Sequence, residues 1–363
     1  LRERGQMSRA EITRDTGMSF PTAMKVVDAF MEKGLLVELD ETGPAAGAGR
    51  KGRLLRFEPG AYRAVGVECE GRFARVGLAD MAGGVQARET IELGDFARTR
   101  DLSPLAAAIR RMCAAANGAP VLGVCIGFPA NLDPDAAAIV SYAAMDIQQP
   151  TSFAQVFPAF WREVELPVYL ENDANLACEG EAFLRRGAGG AANMLYLSIG
   201  SGCGGAVRLD GKLRRGARCR AGEVGAMLLQ PALGAPGRSA ARETLEDAVC
   251  LAALERRFGA ALRDGAQPGE ASAQAMRDYL CGPLSGAVYS LVMTLDVELC
   301  VLAGIVPGAL GMQLCTQVSE ALRAALPEST PVRVEPSVSA DAGVIGAAAT
   351  VFERSLDALL GSG

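Results

Sequence analysis

The chain has 363 residues, 50% of them hydrophobic, with 36 Lys or Arg against 42 Asp or Glu and a net charge of -6. Such a length buries two or three cores and describes a globular protein, while the acidic balance excludes wholesale coating of nucleic acid. No apolar run reaches the roughly 18 residues needed to cross a bilayer, and no basic stretch followed by an apolar one opens the sequence, so no membrane partner and a cytoplasmic location are expected. Ten cysteines fall in mostly apolar surroundings without a Cys-x-x-Cys pair, which predicts buried, reduced thiols.

Ser8-Arg9-Ala10-Glu11 has the form of a capping box and predicts a short helix ending near Gly17. Ser19 then supplies a second N-cap, with Pro21 in the first turn where its missing donor costs nothing. Ala23, Val26, Val27 and Phe30 recur at helical spacing, predicting an inward stripe with Thr22, Lys25 and Asp28 outside. The pattern is a helix-turn-helix, although an ordinary helical hairpin has the same outline. Gly34–Glu38 and Leu54–Phe57 read as two strands joined by a Gly- and Ala-rich loop that ends in Gly49-Arg50-Lys51-Gly52-Arg53, which makes a wing. Residues 1–60 are therefore expected to be a winged helix-turn-helix that binds operator DNA. Ser19, Phe20, Thr22 and Lys25 would face the major groove, and Arg50, Lys51 and Arg53 the minor groove or phosphates. This segment holds ten Lys or Arg against nine Asp or Glu, so its binding has to come from local geometry.

Beyond Pro59-Gly60 the pattern turns β-rich, with strands predicted at Tyr62–Glu68, Phe73–Ala79, Val121–Phe128 and Val168–Leu170, and helical segments alternating with strands thereafter. This is an α/β arrangement. Two stretches carry chemistry. Glu171-Asn172-Asp173-Ala174-Asn175 offers amide and carboxylate groups for hydroxyls, although Asn and Asp also favour helix caps. Leu195–Met227 joins the loop Gly200-Ser201-Gly202-Cys203-Gly204-Gly205, whose amides can approach phosphate, to Gly222-Glu223-Val224-Gly225.

Together these motifs resemble the ROK family of sugar kinases and repressors over essentially all of residues 61–363. The resemblance implies a two-lobed actin-like ATPase (ribonuclease H-like) body, the first lobe about 61–173 plus 344–360 and the second about 174–343. It implies ligand contacts from Asn172, Asp173, Glu223 and Glu246, with Asp173 as catalytic base if the protein is a kinase. It also implies phosphate-loop remnants at Gly200, Gly202, Gly204 and Gly205, and at Glu68, Glu70 and Arg72.

Several positions depart from the family pattern. Glu68-Cys69-Glu70-Gly71-Arg72 stands where the family has Asp-x-Gly-Gly-Thr. A carboxylate at Glu70 would repel phosphate by about 1–4 kcal/mol at 4 Å, unless Arg72 pairs with the phosphate or with Glu70. Leu302-Ala303-Gly304-Ile305 replaces consecutive glycines, and Lys51 replaces the proline of the family's wing tip. Ala226 stands in place of a zinc-binding histidine, the chain has no histidine, and residues 228–249 have no cysteine, so neither zinc nor another cofactor is expected. The loop Gly234–Arg238 is then expected to be held by packing alone. The resulting expectation is a sugar-responsive repressor with a non-catalytic kinase-like effector domain, acting as a homodimer or higher homo-oligomer; a sugar kinase and a DNA-binding protein with a purely scaffolding body are the alternatives.

Overall fold

The computed structural model describes residues 1–2, 4–42, 52–187, 190–229, 243–259, 262 and 268–361. In the head, the helix Arg9–Thr16 starts from the predicted capping box, with Ser8 N donating to Glu11 Oε2 at 2.7 Å and Glu11 N to Ser8 Oγ at 3.3 Å. Gly17 ends it at φ +67°, a conformation that costs glycine nothing. The helix Phe20–Glu32 is capped by Ser19 Oγ, which accepts from Thr22 N at 3.4 Å. Three antiparallel strands in the order Gln6–Ser8, Arg53–Phe57, Leu36–Thr42 complete this unit. Its small core is Val27, Leu36 and Leu55, with Ile12, Met24, Phe30 and Phe57 around it.

Two expectations are corrected here. Val26 does not belong to the inward stripe: it is 38% exposed, because the face meeting the strands follows Ala23 and Val27, and each residue turns the helix by about 100°. The first wing strand begins at Leu36, since Gly34 at φ +70° is still turning the chain out of the helix.

The body is built on two five-stranded mixed sheets. The first has the order Val168–Asn172, Val121–Phe128, Arg63–Glu70, Phe73–Asp80, Val85–Glu92, and the second Lys212–Leu213, Cys203–Leu209, Met194–Ile199, Leu299–Ala303, Arg333–Pro336. The helices Asp173–Leu184 and Ala342–Leu360 lie between them. Leu176 joins the first sheet's inner face with Ala347, Ala348 and Val351, while Ala174, Ala177 and Cys178 pack on Met194, Tyr196 and Val301 of the second. These two helices touch backbone to backbone. A Cβ on Gly180 would lie 1.8 Å from the Ala342 carbonyl oxygen, and one on Gly346 1.8 Å from that of Leu176. Helix Ala342–Leu360 also presses on the first sheet, where a Cβ on Gly66 would lie 2.1 Å from the Val344 oxygen. Larger cores back each sheet on its outer side, and the ten cysteines are free thiols. No described helix is long and apolar enough to cross a membrane.

Candidate functional site

A cleft of about 1110 Å³ opens between the two sheets, where the strand Val168–Asn172 ends and the helix Asp173–Leu184 begins. Asn172 realises the capping reading: its Oδ1 accepts from Asn175 N at 3.1 Å, and its Nδ2 donates to the Ala130 carbonyl at 3.3 Å. Asp173 follows in the first turn. Removal from water pushes its carboxyl up to about 6, aided by the charges of Glu70 and Glu223 and opposed by the backbone amides of Ala174 and Asp173.

Glu223 comes into the cleft on the short turn after Gly222, and loss of water raises its carboxyl as well. In the orientation that satisfies both amide atoms, Asn131 donates to Glu223 Oε1 at 2.7 Å and to the Cys219 carbonyl at 3.2 Å, and accepts from Ser141 Oγ at 3.0 Å. Arg220 reaches the same Ser141 Oγ at 3.4 Å. Asn131, Ser141 and Arg220 were not identified from sequence; the signal available was the Pro129 that ends a buried strand at the cleft rim. Behind them Glu171, almost fully buried, accepts from Asn172 N and Asn175 Nδ2 at 2.9 Å each and from Arg215 at 2.6 Å. That ion pair ties the Asn172-Asp173 corner to the segment carrying Arg220 and Glu223.

The glycine loop is the turn between Met194–Ile199 and Cys203–Leu209. Gly200, Gly202 and Gly204 line the cleft. Gly205 does not: a Cβ there would lie 2.6 Å from Val224 and 2.9 Å from the Gly222 oxygen, so it is glycine for packing. Glu246, on the helix Leu245–Val249, accepts from Cys203 N at 2.8 Å, and its Oε2 lies 2.8 Å from where a Cβ on Gly202 would be. One amide of the loop is thus already given to a carboxylate of the chain itself.

The opposite wall is formed by Glu68 and Glu70, still within the strand Arg63–Glu70, which turns at Gly71 with φ +58°. Antiparallel register sets Glu68 beside Arg75, whose guanidinium lies 3.1 Å from Glu68 Oε2 and 3.3 Å from Glu70 Oε2. Arg72 therefore does not serve as the cation of this loop. It pairs with Glu92 on the outer strand, because the hairpin turn directs it away from the cleft. Glu70 Oε1 reaches to within 3.2 Å of where a Cβ on Gly200 would be. Burial, with the charges of Glu70 and Asp173, raises Glu68 to about 7 against the pull of Arg75.

The cleft consequently has two unlike halves. One gathers the amides and carboxylates of Asn131, Asn172, Asp173 and Glu223, and the other, where the glycine loop and the Glu68–Arg72 segment were expected to meet phosphate, presents the carboxylates of Glu68 and Glu70 beside a single arginine, Arg75. Among the described residues no group of three or more His, Cys, Asp or Glu is arranged to hold a metal ion. Ala226 closes the turn Val224–Ala226, while residues 230–242, including the loop Gly234–Arg238, lie outside the described residues.

In the head, Phe20, Thr22 and Lys25 are exposed along the outward side of their helix and Ser19 caps it. Arg53 is exposed at the wing's base and donates to Glu38 Oε2 at 3.0 Å. Arg50 and Lys51 lie outside the described residues.

The profile of the ROK family matches residues 64–354. A glucokinase of Halalkalibacterium halodurans is 34% identical over 141 residues, covering 37% of this chain and 40% of that protein. A xylose repressor of Caldicellulosiruptor bescii is 27% identical over 223 residues, covering 60% and 54%. The chain thus spans about half the length, or less, of these curated relatives. Among solved structures, a ROK family transcriptional regulator, a homologue of the E. coli MLC protein, superposes with a TM-score of 0.76 at 16% identity over 98% of this chain and 94% of its own. A ROK hexokinase from Thermus thermophilus gives 0.63 at 26% identity over 81% and 99%.

Proposed function

The chain belongs to the ROK family, and from that premise we propose that it is a transcription regulator, a repressor, whose winged head binds operator DNA and whose kinase-like body senses a sugar or sugar derivative. The observation that carries this reading is the phosphate half of the cleft, where Glu68 and Glu70 converge on Arg75 and Glu246 holds the Cys203 amide. The coverage of the solved structures points the same way: the regulator superposes on head and body, the hexokinase on 81% of the chain.

In this reading Asn172, Asp173 and Glu223 hold the ligand's hydroxyls, with Asn131 fixing Glu223, while Glu246 is taken up by the glycine loop. Two lobes, about 61–173 plus 344–360 and about 174–343, close on the ligand and reorient the heads of a homodimer. A ligand shifts such an equilibrium only by the difference between its affinities for the two states. Half-sites in the operator then lie about one helical turn, or a multiple, apart.

A thermal-shift screen against monosaccharides, sugar phosphates, polyols and ATP with Mg²⁺ tests the proposal. One sugar class at 100 times its dissociation constant is expected to add about 2.7 kcal/mol, with the shift lost in Asp173→Ala and Glu223→Ala. Silence across the sugars would leave the body a scaffold. A kinase is the second reading, favoured by a carboxyl at Asp173 poised near 6 in the cleft, as a general base requires. It predicts sugar phosphate from ATP and Mg²⁺ in a single-turnover assay, abolished by Asp173→Asn.

A further inference from the structure

Three of the ten large hydrophobic side chains exposed among the described residues fall within residues 18–26: Phe20 at 58%, Met18 at 43% and Val26 at 38%. All three belong to the helix and turn that the proposed function sets in the major groove. Isolated exposed apolar residues are ordinary, but these sit on a surface with an unusual deficit. Residues 18–32 contain no Arg, Asn or Gln, so that of the side chains that read guanine and adenine through hydrogen bonds only Lys25 is present. The hydroxyls present are engaged locally: Ser19 Oγ and Thr22 Oγ1 lie 2.8 Å apart, and Ser19 Oγ also accepts from Thr22 N. Pro21 has no donor to give. Lys25 supplies a cation one turn on, and the remaining outward polar groups are the carboxylates Asp28 and Glu32.

A helix face of this composition can read one feature of the major groove well. The C5-methyl of thymine is the groove's apolar mark, and phenylalanine and the threonine methyl are suited to it. We propose that the head specifies its operator chiefly through thymine methyl groups, with Phe20 at the helix N-terminus as the principal reader and Val26, one turn beyond Thr22 on the same side, as the second. Arg53 then positions the head through a phosphate and adds no sequence information, while Lys25 is the one side chain of the helix left to read guanine. This rests on the DNA-binding reading of the head and names what that head recognises.

The test selects duplexes from a random library with the whole protein, then measures the affinity of a selected duplex with each thymine replaced in turn by deoxyuracil, which removes only the methyl group. At one or more positions the replacement is expected to weaken binding about fivefold or more. Phe20→Ala should lose a similar factor on the thymine duplex and little further on the uracil one. Phe20 is exposed, so this variant keeps the head's core. Selected duplexes whose affinity is indifferent to uracil at every position would overturn methyl recognition and leave DNA binding intact, whereas failure to enrich any duplex would remove both.

Discussion

Gly346→Ala is expected to destabilise the protein by about 3 kcal/mol or more, read as a fall in thermal or denaturant midpoint. The added methyl would sit 1.8 Å from the Leu176 carbonyl oxygen and 2.8 Å from Gly180 N. Both are backbone atoms inside helices, so no rotamer change relieves the overlap, and the helices Asp173–Leu184 and Ala342–Leu360 would have to separate. Separation uncovers Leu176, Ala347, Ala348 and Val351 in the core they share with the first sheet. Gly180→Ala meets the Ala342 oxygen at the same 1.8 Å and should cost as much. Gly286→Ala is the control. It lies exposed within the helix Glu270–Leu295 with nothing within 4 Å of the new atom, and should stabilise by about 0.5–1 kcal/mol through helix propensity. Equal effects from Gly286→Ala and Gly346→Ala would show that the two crossing helices do not meet as closely as described.

Glu68→Gln is expected to make the protein more stable at pH 8 and to change little at pH 4. The ordinary carboxyl value is 4.5 and burial raises the folded one to about 7. Between these values the folded chain keeps a proton that the unfolded chain has released, so this group's contribution is intact below 4.5 and is lost as the pH rises to about 7. The full shift corresponds to about 3 kcal/mol, and Arg75, left with Glu70 alone, reduces the net gain to about 1–2 kcal/mol. Asp173, raised to about 6 for the same first reason, carries the same sign. Midpoints of parent and Glu68→Gln measured across pH 4–8 check this. Parallel curves would mean that Glu68 is ionised throughout and paired with Arg75. On the proposed function the same variant leaves sugar affinity unaltered, because Glu68 stands with Arg75 on the other half of the cleft, while Asp173→Asn abolishes it.

The parts of this molecule legible in its sequence are those written locally. Capping residues at Ser8 and Ser19, the glycine loop at 200–204 and the Asn172-Asp173 corner are fixed by neighbours within a few positions, and the helix starts and the turn appear where those residues predict, although the strand expected at Val168–Leu170 runs on to Asn172. What escaped depended on register and on distant partners. Arg75 becomes the cation of the carboxylate wall only once antiparallel pairing sets it opposite Glu68, and Arg72, nearer in sequence, is turned away to Glu92 by the same hairpin. Asn131 meets Glu223 across more than ninety residues of chain. Gly205 shares the glycine run but serves the packing of Val224, a distinction that composition cannot make. Gly180 and Gly346 carry no local signal at all, since each is required by the backbone of the other's helix.

The close seat of Ala342–Leu360 on the strand Arg63–Glu70 has a consequence for how the protein is made. Gly66 and Val344 are separated by about 280 residues, and at translation rates of about 5–20 residues per second the interval between their syntheses is roughly 15–60 s. For that period most of one apolar face of the first sheet lacks its cover, Leu176 of the helix Asp173–Leu184 excepted, whereas the head, whose three-stranded sheet is complete once Arg53–Phe57 has been made, can close as soon as it emerges. A nascent chain stalled before residue 342 should therefore display a folded head attached to a body that binds chaperones, and release from them should coincide with completion of the last helix.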